Sequence, residues 1–323
     1  MARLRRAASS VLSGDGALRL RAAWLYHGYG LTQNEVADQL GIGRSTVIRL
    51  LEEARLRGEV KVSIEEGPTE LVDLSIQLER LLGLDEAVVV PAPAAVEGTA
   101  AAVGIALGRF LSDTVADGMT VGVGWGRTLG ASLSSLAPAK REGVRVMSLM
   151  GGSVETSQAN PFEFAWRLAT ALQADCYLFP APLIVDSAET RQRLMRDCGL
   201  DRLIAMAGSL DIAVVSAGDI TNRAGSLVRG FISEDDITRL IAQGAVADIM
   251  CNVIDEAGVP LSDPVNARVM SVGTSVLKGA RHVVLAGGGR GRARAILAVI
   301  RCIGCNTLIT DEHAARAILE RLD

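Results

Sequence analysis

From residue 87 onward the chain alternates short apolar runs with longer amphipathic stretches, and this alternation constrains its fold more than any other feature. The runs EAVVVP, MTVGVGW, VRVMSLMG, DCYLFPA, IAVVSAG, ADIMCNVID, HVVLAGGG and TLIT each read as one strand. Helical stretches follow around 97–116, 127–135, 161–173, 187–198, 233–242, 292–301 and 311–321. Strands alternating with helices pair in parallel, because a parallel neighbour is reached only through a crossover, usually a helix. The expected architecture is α/β, a doubly wound, mostly parallel sheet with ligands bound beyond the carboxyl ends of the strands. Chemistry is therefore expected in the loops after VGV, SLM, LFP, VVS and VVL.

Residues 17–64 follow a different pattern. ALRLRAAWLYHGYG places Leu18, Leu20, Ala22, Trp24 and Leu25 at helical spacing and ends at Gly28 or Gly30. TQNEVADQL opens with Thr32 and Glu35 in capping-box register and closes at Gly41, which supplies a left-handed turn. RSTVIRLLEEARLRG forms the next helix, and VKVSI alternates like a short exposed strand. Ala37 is small where the two helices cross, and Val47 and Leu50 face inward with Val36, Leu40 and Ile42. This is the pattern of a winged helix-turn-helix that presents Arg44, Ser45, Thr46 and Arg49 to the major groove of double-stranded DNA. Charge agrees: residues 1–61 hold ten Lys/Arg against six Asp/Glu, whereas the remainder holds 23 against 31.

Residues 1–16 are basic and Ser/Ala-rich without the apolar stretch of a secretory signal, and are expected to form a disordered arm. EEGP interrupts the pattern at 65–68, so residues 65–84 read as a linker helix striped by Leu71, Leu74, Leu78, Leu81 and Leu82. That helix is expected to pack on the domain 85–323 and also to pair with a second copy. No apolar run is long enough to span a bilayer, so no membrane partner is expected. Five scattered cysteines fit buried thiols in a reducing cytoplasm. The Cys302–Cys305 pair has no companion ligands for zinc, so neither metal nor cofactor is expected.

Two glycine-rich turns each join a strand to a helix. In GVGWGRTLG, Gly124 and Gly126 let backbone N–H groups approach a ligand, with Arg127 and Thr128 at the helix start, where negative charge is favoured. In LAGGGRGRARAI, Arg290 and Arg292 crowd the turn while Arg294 reads as solvated. Neither turn carries a Walker or dinucleotide fingerprint. Gly151, Gly152 and Pro180–Pro182 are expected to shape the pocket.

At this point the sequence resembles a known family. LTQNEVADQLGIGRSTVIRLLEEARLRGEVKVSI looks like the head of the SorC family of sugar-responsive bacterial regulators. VGVGWGRTL, SLMGG, YLFPAPL, ADIMCNVIDEAGVPL and TLITDEHAA resemble its sugar-binding domain, so the likeness runs from about Leu18 to the C-terminus. The resemblance implies a fold related to sugar-phosphate isomerases, a dimer or tetramer, and Asp248 as the contact for sugar hydroxyls. It also implies a lysine in an AGG-x-x-K pattern, but that position holds Arg292, which cannot form a Schiff base. Ala247 stands where the family has glycine. The expected function is a cytoplasmic, non-enzymatic regulator that binds an operator and responds to a sugar or polyol phosphate. An isomerase-like enzyme fused to a DNA-binding head is the alternative, and a purely structural DNA-binding protein is a third. Against the enzyme, His27, His282 and His313 all fall outside the expected strand-end loops.

Overall fold

The computed structural model describes residues 15–60, 69–137, 140–153, 160–221 and 228–322. Most of the expected arm, the VKVSI wing and the EEGP break lie outside the described residues. The chain divides into two compact units, Met1–Glu65 and Glu66–Asp323.

In the first unit, α1 (Asp15–Ala23) passes through a π-turn (Trp24–Gly28) to α2 (Gln33–Leu40) and α3 (Arg44–Leu56). The Glu35 N–H donates to Thr32 Oγ1 at 3.3 Å and Glu35 Oε2 accepts the Thr32 N–H at 2.7 Å, so the capping box is complete. Gly41 adopts φ 69°, the left-handed conformation that frees the chain to enter α3. Val36, Ala37, Val47, Leu50, Leu51 and Ala54 close a small core with Ala22 and Ala23. The stripe of α1 differs from expectation: Leu20 and Trp24 are exposed, whereas Arg19 is buried. Arg19 forks onto Glu59, Nε to Oε2 at 2.6 Å, so its charge is matched while its stem packs. Leu20 and Trp24, four residues apart, share the outer face of the helix, opposite the face that buries Arg19, Ala22 and Ala23.

The second unit contains α4 (Thr69–Leu82), β1 (Glu86–Val90), α5 (Thr99–Thr114), β2 (Thr120–Val123), α6 (Arg127–Ser132), β3 (Arg145–Ser148) and α7 (Pro161–Leu172). It continues through β4 (Asp175–Tyr177), α8 (Ala188–Asp197), α9 (Asp201–Ala207), β5 (Ile212–Val215), β6 (Gly218–Asp219), α10 (Glu234–Ala242), β7 (Ala245–Ile249) and β8 (Asn252–Asp255). It ends with α11 (Pro264–Ala267), α12 (Thr274–Leu277), β9 (His282–Ala286), α13 (Ala293–Ile303), β10 (Thr307–Asp311) and α14 (Glu312–Leu319). Seven strands pair in parallel in the order β1-β10-β9-β5-β2-β3-β4. Successive residues of a strand point to opposite faces, so Val214 and Val284 join one core and Ala213, Val215, Val283 and Leu285 the other. The sheet is thus doubly wound, as expected.

Leu71, Leu74 and Leu78 of α4 are buried in the larger core, whereas Leu81 is exposed.

A second, antiparallel sheet, β6-β7-β8, departs from expectation. ADIMCNVID is two strands rather than one, folded back through Met250 and Cys251 at φ 47° and 64°. Tight hairpins of this kind usually carry Asn-Gly or Asp-Gly, because both turn residues need positive φ. Here the turn is held from outside: Asn252 Nδ2 donates to the Ile249 carbonyl, the Met250 carbonyl and Ser271 Oγ, at 3.2, 3.1 and 2.9 Å. The hairpin also places Asp248 near the end of β7, where the sequence suggested a strand start.

α5 and α6 approach closely because Gly104 and Gly108 have no side chains. A Cβ at Gly104 would stand 2.6 Å from Ala131 Cβ and 2.7 Å from the Thr128 carbonyl oxygen. Ser135 Oγ adds a hydrogen bond across the gap to the Ile105 carbonyl at 2.8 Å. Forcing a larger residue into such a contact costs about 1–3 kcal/mol. Gly104→Val is therefore expected to lower the unfolding free energy by about that amount in urea denaturation; unchanged stability would show that the contact is not tight.

Candidate functional site

α3 carries the exposed face of the first unit. Arg44, Ser45 and Arg49 are exposed and Thr46 is half-buried, while Val47 and Leu50 turn inward. Arg44 Nε and Nη2 both lie 3.3 Å from Gln33 Oε1, and Arg49 Nη1 lies 3.4 Å from Glu53 Oε2. These contacts are exposed, so each is weak and exchangeable for another acceptor. Ile48, one turn beyond Arg44, is also exposed. Its spacing of four residues from Arg44 puts it on the outer face, a signal present in the sequence.

In the second unit the chain leaves β2 toward β3 on one side and β5 toward β9 on the other. That reversal opens a crevice at the carboxyl ends of the strands, where doubly wound sheets bind ligands. A cavity of about 440 Å³ lies there, within the usual size of small-molecule sites. Trp125–Thr128 line it after β2, Ser216–Gly218 after β5, and Gly288–Arg292 after β9. The loop after β1 adds Glu97, β7 adds Asp248, and α14 adds His313.

Gly126 has φ 140° and ψ 158°, a conformation essentially restricted to glycine, and a Cβ there would lie 2.6 Å from Ser216 Oγ. Ser216 Oγ instead donates to the Trp125 carbonyl at 2.6 Å, tying the turns after β2 and β5 together. On the other side, the Gly289 N–H donates to Asp311 Oδ1 at 2.6 Å. Asp311 is wholly buried, and its Oδ2 has no hydrogen-bond partner among the described residues. Gly218 gives Asp248 its room, since any side chain there would collide with the carboxylate.

The cavity is electrostatically mixed. Burial, and next the neighbouring Arg127 guanidinium, lower the Arg292 pKa below its ordinary value, while Asp219 and Asp248 oppose that shift. Arg127 and Arg292 therefore share one field at opposite sides of the crevice. Arg290 lines the mouth and pairs with Glu320 at 2.7 Å. Two or more guanidiniums can grip an anion at one end while the buried carboxylate of Asp248 accepts hydrogen bonds from hydroxyls at the other.

The fold thus brings together Gly126, Arg127, Thr128, Asp248, Arg290 and Arg292. Gly124 lies just beneath, and a Cβ there would touch Met250 Cγ at 3.5 Å. Gly152 is elsewhere, bridged to Pro182, and a side chain on it would meet the Phe162 ring. Gly151 and Pro180–Pro182 likewise do not line the cavity. Arg294 points away to Glu256, at 2.7 Å. His313, set aside because it sits in the terminal helix, does line the cavity. β10 runs into α14 without a loop, so the start of that helix is itself a strand end, and TLIT followed directly by DEHAA carried that signal. The Cys302 and Cys305 thiols are both buried, and burial pushes Cys305 up to about 12. Among the described residues no group of three His, Cys, Asp or Glu could hold a metal ion, and no helix is long and apolar enough to cross a membrane.

The chain is similar to known proteins over most of its length. Residues 67–320 match the Sugar-bind family of sugar-binding domains. The erythritol catabolism regulatory protein EryD of Brucella abortus is 30% identical over 307 residues, 94% of this chain and 97% of that protein. The deoxyribonucleoside regulator of Bacillus subtilis is 30% identical over 311 residues, 94% and 98% of the two chains. The crystal structure of the full-length sorbitol operon regulator SorC of Klebsiella pneumoniae superposes with a TM-score of 0.72 at 25% identity, covering 94% of this chain and 98% of that one.

Proposed function

The chain belongs to the SorC family of sugar-binding transcriptional regulators, and from that premise we propose that it controls a sugar or polyol catabolic operon from the cytoplasm through a phosphorylated effector. Residues 17–64 act as the DNA-binding head and 85–323 as the sensor, with 65–84 joining them. Arg44, Ser45, Thr46 and Arg49 read the operator from the major groove, where Arg favours guanine. Exposed Ile48 on the same face suits a thymine methyl. Paired heads on two half-sites require a dimer or a tetramer, and the α4 segment together with the sensor supplies the contact.

One observation carries the effector reading: Arg127, Arg292, Arg290 and Asp248 all wall a single cavity at the sheet's point of reversal. The guanidiniums and the backbone around Gly126, Thr128 and Gly289 suit a phosphate, and Asp248 suits the hydroxyls. Among the described residues no lysine lines the cavity, so the effector is held without a covalent bond. The cavity does join Glu97, Asp248 and His313, residue types an isomerase would use. The names of the relatives favour sensing over turnover, and the ligand is expected to be recovered unchanged.

Two outcomes test this reading. Arg49→Ala is expected to weaken binding to duplexes selected from a random pool at least several-fold, in line with about 1–3 kcal/mol per base contact. Unaltered affinity and sequence preference would remove this helix from the interface. Arg292→Ala is expected to cost roughly tenfold or more in calorimetric affinity for erythritol or sorbitol phosphate, since a charge-assisted hydrogen bond contributes about 1.5–3 kcal/mol. Normal binding by that variant would refute the cradle.

A further inference from the structure

His313 shares the cavity with three arginines but has no part in the anion-and-polyol reading. Its position is set by the fold. It is the second residue of α14, and the residue before that helix is Asp311, which accepts the Gly289 N–H at 2.6 Å instead of capping its own helix. Gly288 fits beside Asp311 only because it lacks a Cβ, which would stand 2.5 Å from Oδ1. One buried carboxylate therefore ties the start of α14, where the exposed His313 stands, to the turn that bears Arg290 and Arg292.

We propose that His313 is a specificity-determining contact for the anionic end of the effector, charging as the anion binds so that sensing strengthens as pH falls. This rests on the anion reading of the cavity. The charged groups sharing the cavity with the ring are Arg127 from α6, Arg290 and Arg292 from the turn after β9, Glu97 after β1, and Asp248 of β7. On its own helix, Glu312 pairs with Arg316 at 2.9 Å, and Arg316 also reaches Glu70 of α4 at 3.3 Å. Glu320, just past the end of α14, pairs with Arg290 at 2.7 Å.

Arginine does not titrate in proteins, whereas histidine is the side chain that ordinarily changes charge near neutral pH. A dianion seated among the guanidiniums favours the protonated ring, so forming the complex takes up a proton. The sign follows: affinity is highest where the ring is already protonated and falls as pH rises through neutrality. The contact also favours a doubly charged group over a neutral or singly charged one.

The test is calorimetric titration of the full chain with sodium sulfate at matched ionic strength, at about pH 5.5 and about pH 8 on either side of the histidine range. Sulfate keeps both charges across this window, unlike a phosphate monoester, whose second pKa lies near 6. Wild type is expected to bind sulfate roughly three- to tenfold more tightly at the lower pH, where an imidazole ordinarily carries its charge. His313→Gln is expected to lose that dependence, and His313→Lys to bind tightly at both pH values. A flat wild-type profile, or a slope that survives in His313→Gln, overturns the proposal. Flat binding that disappears in Arg292→Ala overturns it while leaving the anion reading intact. Absence of sulfate binding at either pH overturns both.

Discussion

Parallel pairing of β2 with β5 is the constraint on which the site rests. Because the chain departs from these two strands in opposite directions, no crossover covers their carboxyl ends, and a crevice remains. β9 lies on the far side of β5, so the turns after β2 and β9 are two ladder spacings apart, roughly 10 Å. Arg127 and Arg292 flank that gap from opposite turns. Their separation is thus a property of the sheet rather than of flexible loops. The close approach of α5 to α6 fixes one side, and the Asp311–Gly289 hydrogen bond fixes the other.

Holding like charges in one partly buried space is unfavourable unless something compensates. Asp219 and Asp248 supply part of the compensation, which is why both oppose the lowering of the Arg292 pKa. Asp248 depends in turn on a strained turn: residues without the freedom of glycine seldom adopt positive φ, at about 1–3 kcal/mol each. Met250 and Cys251 do so consecutively, and the three hydrogen bonds from Asn252 Nδ2 hold them there. Groups held in place before a ligand arrives leave little of the binding free energy to be spent on ordering the protein.

Much of this was legible in the sequence because it depends on local periodicity. Seven of the eight apolar runs fall on the strands of the main sheet, and Thr32, Glu35 and Gly41 mark the ends of α2. Both glycine-rich turns were visible because glycine at a strand-to-helix junction has few other uses. What escaped notice lacked a local signal. The β7–β8 hairpin turns on Met-Cys, stabilised by Ser271 some 19 residues from Asn252. Burial of Arg19 depends on Glu59, 40 residues away. Gly152 has the appearance of a ligand turn but serves packing against Phe162. His313 was missed because a helix was assumed to begin away from the site, whereas here strand and helix join directly.

The central claim is that the cavity recognises an anion joined to a polyol. It is tested most directly by calorimetric titration of the unaltered full chain with erythritol, sorbitol and their phosphates under one set of conditions. The account predicts that a phosphate ester binds at least about tenfold more tightly than its parent polyol, as one or more charge-assisted hydrogen bonds would require. Equal affinity for a polyol and its phosphate would contradict it, and would leave the glycines and arginines with a purely structural role.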